Sequence, residues 1–137
     1  MNPEQAADRL REHGVVPTEQ RVGIARVLFS CATHFSAEQI LARVNAASAR
    51  VSKATVYNTL RLFREKGLLR EVIVDPSRVF YDPNMAPHHH FYNLDTGVLT
   101  DIPAEQIHVS GVPRLPAGMV EEGIEIVIRT RSVTPAT

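Results

Sequence analysis

The chain has 137 residues, 44% of them hydrophobic, and its formal net charge of zero is unevenly spread. That content suffices for one compact domain or two small ones, and no apolar run approaches the roughly 20 residues of a membrane span. Residues 1–82 hold 12 Lys/Arg against 9 Asp/Glu and residues 83–137 hold 3 against 6, which allows a nucleic-acid-binding front and a non-binding back.

Met1-Asn2-Pro3-Glu4-Gln5 lacks the basic and apolar regions of a secretion signal, so a cytoplasmic location is expected. The same stretch predicts a helix start, with Asn2 as N-cap, Pro3 in the first turn and Gln5 reaching back. The helix should stop near His13-Gly14. Thr18 caps a second helix, whose Val22, Ala25, Leu28 and Phe29 are spaced to fill one face. Cys31 is the single cysteine, which excludes an internal disulfide or a Cys-pair zinc site, and is expected to be a buried small hydrophobe. Ser36 and Gln39 make a capping box for a third helix with the stripe Ala37, Ile40, Leu41 and Val44.

Ser52 caps a fourth helix from Lys53 to about Lys66, closed by Gly67, with Val56, Leu60 and Phe63 on one side. Lys53, Thr55, Tyr57, Asn58 and Arg61 fall elsewhere, and such a face can enter a major groove, Asn58 and Arg61 reaching base edges. An ordinary solvated helix face has the same look. The residues after the helix tip the balance: strand 68–74, the turn Asp75-Pro76-Ser77 and return strand 78–81. Helices followed by a hairpin suggest a winged helix-turn-helix, with Arg78 placed to touch a phosphate.

Pro83 to Pro87 reads as a hinge. Beyond it, 88–94, 97–102, 107–109 and 124–130 look like strands, with Asp95-Thr96-Gly97 turning the first hairpin. Residues 117–122 hold at most a short helix, and 132–137 read as a frayed tail. About fifty residues make a small core, so this half is expected to pair with a second copy. The fold expected is α+β: residues 1–82 a winged-helix domain, 83–87 a hinge, 88–137 a small α/β dimerisation and metal-sensing domain.

In a strand, His88 and His90 point to one face and His89 to the other. Two imidazoles joined by carboxylates suit a divalent first-row metal such as Fe, Mn or Zn. Asp82 and Asp101 are the candidate carboxylates, and His34, before the third helix, is a further donor if the wing folds back. A solvated histidine cluster at a strand start would look the same in sequence.

Pro17-Thr18-Glu19-Gln20-Arg21, His34-Phe35-Ser36-Ala37-Glu38, Ser52 through Leu60 and Asp82 through His90 together resemble the ferric uptake regulator (Fur) family of metal-responsive repressors, over nearly the whole chain. The resemblance implies an N-terminal winged helix and a C-terminal α/β dimerisation domain. It implies a regulatory metal site at His34, Asp82, His88, His90 and Asp101, with Asp82 at the spacing of the peroxide-sensing branch. Tyr57 matches the family's DNA-contacting tyrosine, and Arg21 lies in its Thr-X-Gln-Arg motif. Many members carry a Cys-X-X-Cys structural zinc motif where this chain has Asn93 and Thr96, so a four-cysteine zinc is not expected. A further site in some members uses an acid between the two histidines, where this chain has His89.

His88-His89-His90-Phe91-Tyr92, Leu99-Thr100-Asp101-Ile102-Pro103 and the ending Ile128-Arg129-Thr130-Arg131 resemble the iron response regulator subfamily, which senses iron through haem status. That makes His88, His89 and His90 haem candidates. The Cys-Pro haem motif of some members is absent, because Ala32 follows Cys31. The expectation is a homodimeric, metal- or haem-responsive regulator of iron homeostasis on palindromic operators. The alternatives are an iron-dependent peroxide sensor of the same family and, as a different class, a metalloenzyme using the histidines.

Overall fold

A computed structural model describes residues 1–30, 34–47 and 50–133. Cys31 and residues 134–137 of the expected tail lie outside that set. The chain divides into two compact units, Met1–Met85 and Ala86–Thr137.

The first unit begins with α1 (Pro3–Glu12) and α2 (Glu19–Phe29). The Asn2 side chain accepts from the Gln5 N–H at 2.8 Å while Gln5 Oε1 accepts from the Asn2 N–H at 3.0 Å, which satisfies two helix-start donors at once. Gly14 ends the first helix at φ 75°, a conformation that favours glycine. A two-residue strand, β1 (Phe35–Ser36), was not anticipated; it leads into α3 (Ala37–Ala47) and α4 (Lys53–Glu65). The Ser36–Gln39 box opens α3, and Ser52 Oγ accepts from the Thr55 N–H at 3.1 Å to start α4.

Ile24, Ile40, Val56, Leu60 and Phe63, each wholly buried, unite the helices in one core. Val22 and Phe29 pack on its margin, as the spacing predicted. The wing is formed by β2 (Arg70–Asp75) and β3 (Arg78–Asp82), antiparallel, with β1 added outside β3 to give the order β1-β3-β2. The wing's first strand runs Arg70–Asp75 rather than 68–74, because Leu68 and Leu69 are drawn into the core just after the helix.

The second unit is a three-stranded sheet of order β5-β4-β6, built from β4 (His88–Asn93), β5 (Leu99–Pro103) and β6 (Val127–Thr130). β4 pairs antiparallel with β5, His90 opposite Asp101, and parallel with β6, His90 opposite Val127. Two strand expectations change. Ile107–Val109 is not a strand: a 3₁₀ turn at Ala104–Gln106 ends β5, and the segment beyond it is largely exposed without a ladder partner. The last strand is four residues long rather than seven, since Ile124–Ile126 precede regular pairing. The short helix allowed at 117–122 is absent there; only a turn forms.

Among the described residues of this unit the buried hydrophobics are Tyr92, Leu99 and Ile102, while Val109, Val112, Leu115, Met119, Val120 and Ile128 are exposed. Among the described residues no helix is long and apolar enough to cross a membrane.

Candidate functional site

The metal-donor candidates fall in both units. In the first, Asp82 ends β3, wholly buried, and its Oδ1 lies 3.4 Å from His34 Nε2. His34 is placed by its neighbour Phe35, which pairs with Tyr81 across β1 and β3, one residue from Asp82. Arg70 sits opposite Asp82 in the β2–β3 ladder and brings its guanidinium to 3.9 Å from the other carboxylate oxygen. A buried carboxylate thus stands between an imidazole and a guanidinium, one on each of its oxygens. Sequence reasoning missed Arg70, since its partner is twelve residues away through a hairpin whose register was not known.

In the second unit, β4 alternation puts His88 and His90 on one face, and the antiparallel register sets Asp101 opposite His90. Asp101 Oδ1 lies 3.2 Å from His88 Nε2 and 3.3 Å from His90 Nε2. Their rings meet edge-on with centroids 4.6 Å apart. His88 Nδ1 is 2.6 Å from the Ala86 carbonyl oxygen, which can only accept. Nδ1 therefore carries a proton and donates it to that carbonyl, which leaves Nε2 as the ring nitrogen facing Asp101. That is the arrangement of a metal-binding imidazole, whose other nitrogen donates to a backbone carbonyl. Two buried imidazoles and a partly open carboxylate form a hard-to-borderline donor set that fits Fe, Mn or Zn.

His89 faces the other way. Its Nδ1 accepts the Ile126 N–H at 2.9 Å, so the ring caps the chain just before β6. The neutral ring then carries its proton on Nε2.

Asn93 ends β4 and Thr96 sits in the turn after it. Asn93 Oδ1 accepts from the N–H groups of Asp95 (2.9 Å) and Thr96 (3.2 Å), and Gly97 closes the turn at φ 71°. Asp95 Oδ2 accepts from the Ser132 N–H at 2.7 Å, and the Leu94 N–H donates to the Thr130 carbonyl at 2.8 Å. Hydrogen bonds tie this turn to the end of β6.

The nucleic-acid candidates all lie in the first unit. Lys53, Tyr57, Asn58 and Arg61 are exposed on α4, with Thr55 half-buried. Arg21 lines a cleft of about 490 Å³ together with Thr18, Gln20, Thr55 and Asn58, so the start of α2 meets the start of α4. Its guanidinium is steadied by the Val16 carbonyl at 3.0 Å. Arg78, at the wing turn, and Tyr57 line a second cleft, of about 530 Å³, with Ser36 and Glu38. Tyr57 Oη donates to Glu38 Oε1 at 2.9 Å, a contact that sequence reasoning did not foresee. The Lys53 ammonium stands 5.9 Å from the Tyr57 ring centroid.

A winged helix with an exposed polar face on α4, followed by a small β-sheet unit bearing a His/Asp cluster, is the architecture of a metal-responsive DNA-binding regulator. The model of the Ferric uptake regulator family matches residues 12–119. The chain is 32% identical over 105 residues to the peroxide-responsive repressor PerR of Staphylococcus aureus, covering 77% of this chain and 71% of that one. Its fold is similar to a zinc-bound manganese uptake regulator (TM-score 0.71, 23% identity, 97% of this chain and 100% of that one). It is also similar to the ferric uptake regulator of Pseudomonas aeruginosa solved with manganese (TM-score 0.66, 23% identity, 94% and 98% covered). The chain belongs to the ferric uptake regulator family: it is a metal-responsive transcription regulator and not an enzyme.

Proposed function

We propose that this regulator binds palindromic duplex DNA as a homodimer and senses a divalent Fe, Mn or Zn ion through His34, Asp82, His88, His90 and Asp101. The observation that carries the reading is the Asp101 carboxylate shared by the Nε2 atoms of His88 and His90, with His88 Nδ1 already donating to a backbone carbonyl. An ion that takes donors from both units would favour the domain arrangement that brings residues 1–82 and 88–137 together over the hinge 83–87. The dimer is supported by a second unit with three buried hydrophobics and a run of exposed ones, which a second copy would cover. Such a protein acts in the cytoplasm, with its DNA.

The test is DNA binding by the metal-stripped chain before and after Mn(II), on duplexes that it selects from a randomised pool. Affinity should move with metal in the native chain and not in His90→Ala. An affinity indifferent to metal in the native chain would overturn the reading.

Within the family, the motifs around His88–Tyr92 and Leu99–Pro103 support the iron response regulator branch and iron homeostasis as the process controlled. In that branch His88, His89 and His90 are haem candidates. His89 would have to surrender either its Nε2 proton or the Ile126 hydrogen bond to serve as a ligand, so His88 and His90 are the better placed. Haem titration followed in the Soret band tests this. The similarity to the S. aureus peroxide-responsive repressor favours a second reading, oxidation of His34, His88 or His90 when iron-loaded protein meets peroxide. A single-oxygen mass increase on one of those peptides would establish it.

A further inference from the structure

The hydrogen bond from Tyr57 to Glu38 joins the exposed face of α4 to the first turn of α3. Nothing local in sequence requires it, since the two residues are nineteen apart. The Glu38 carboxyl is held below its ordinary value, first by its own backbone N–H at the helix start and then by Tyr57. The Tyr57 hydroxyl is pushed above its ordinary value, first by Glu38. Near neutral pH the carboxylate is therefore charged and the phenol keeps its proton. A phenol has one proton to donate, and here it goes to Glu38.

We infer that Glu38 is a specificity-determining positioning residue: it fixes the Tyr57 ring and leaves its oxygen able only to accept, so that Tyr57 reads a base edge and not a phosphate. The inference rests on the reading that α4 enters the major groove. An oxygen that can only accept repels phosphate oxygens and the acceptor edge of guanine. It suits the amino group of adenine or cytosine, while the ring edge suits a thymine methyl. The Glu38 charge behind it further discourages a backbone contact. Holding the ring in one rotamer also removes an ordering cost that DNA binding would otherwise incur.

The test is selection from a randomised duplex pool by the Mn(II)-loaded full chain, in native form and as Y57A, E38A and E38Q. Affinity for the native-selected duplex is then compared with a scrambled one at fixed salt. Y57A and E38A should lose selection at the same position of each half-site. E38A should lose about five- to tenfold in discrimination, the scale of one hydrogen bond. E38Q, which keeps an acceptor oxygen, should stay close to native. In E38A the Tyr57 hydroxyl should also ionise nearer its ordinary value, read from its own ring resonance because Tyr81 feels Glu38 as well. If Y57A alters selection and E38A does not, the inference is wrong and the DNA-reading helix stands. If Y57A changes nothing either, the reading of the helix fails and takes the inference with it. If E38Q is as damaged as E38A while its circular dichroism is native, the effect is one of charge, and the hydrogen-bond account is overturned.

Discussion

Asn45, near the end of α3, holds Val51 by both of its backbone polar groups: the Val51 N–H donates to Asn45 Oδ1 at 2.7 Å, and Asn45 Nδ2 donates to the Val51 carbonyl at 3.1 Å. Val51 is buried and precedes Ser52, the residue that caps α4. One side-chain amide therefore mimics a strand partner and sets where α4 starts. Asn45→Ala should lower stability by about 1–3 kcal/mol in urea unfolding, because two part-buried groups lose their partners together. Asn45→Asp, which retains the acceptor alone, should fall between it and the native chain.

Arg61 is exposed one turn beyond Tyr57 on the same helix. Arg61→Ala should leave the unfolding midpoint nearly unchanged and weaken binding to a selected duplex by about 1–3 kcal/mol, if measured at one salt concentration. Unchanged affinity would make this face an ordinary solvated surface.

The wing turn depends on Asp75, whose Oδ1 accepts from both the N–H (2.8 Å) and the hydroxyl (2.7 Å) of Ser77. These bonds hold the Asp75 carboxyl below its ordinary value, the hydroxyl contributing most. A depressed folded value means that the carboxylate form is the stabilised one. Its contribution is complete above the unfolded value near 4 and is lost as pH falls through the lower folded value. The Ser77 amide resonance should thus hold its position down to about pH 4 and move only below it, and Asp75→Asn should abolish that step.

Capping and turn chemistry made most of the first unit legible: Asn2, Ser36 and Ser52 each cap the helix they were expected to cap, and Asp75-Pro76-Ser77 turns the wing. These signals are local, and the structure keeps them. The two residues of β1 are too few for any period to show, and they become a strand because β3 offers an edge. Ile107–Val109 failed for the opposite reason, an apolar look without an edge to pair with. Strand alternation in β4 separated His89 from His88 and His90, but the pairing of both with Asp101 needed the β4–β5 register. Tyr57 with Glu38, Asn45 with Val51 and Arg70 with Asp82 are tertiary consequences of packing, and no spacing rule announces them.

Asn93, Asp95 and the backbone of Thr130 and Ser132 hold the end of β6 by hydrogen bonds. Asp95→Ala should therefore loosen the end of β6, with faster amide exchange at Ser132 and a stability loss of about 1 kcal/mol, as the bond is exposed. A chelator should leave those amides unaffected, because hydrogen bonds and not a thiolate-bound ion hold the turn. Exchange that speeds up on chelation would point to a metal there.

The three consecutive histidines should separate by role. His90 is wholly buried with Nε2 against Asp101, and His88 meets the same oxygen. His89 instead accepts from the Ile126 N–H. Removing a direct ligand should exceed the roughly 10–100-fold loss usual for a supporting residue. His90→Ala should therefore lose more than about a hundredfold in Mn(II) affinity by calorimetry. His89→Ala should keep most of that affinity and lose about 1 kcal/mol of stability, because the Ile126 N–H is left without its acceptor. The pair of measurements crosses: one variant is damaged in binding, the other in folding. Equal losses of affinity in both would mean that the three rings act as one loose cluster, and intact affinity in His90→Ala would remove the His/Asp site from the sensing role.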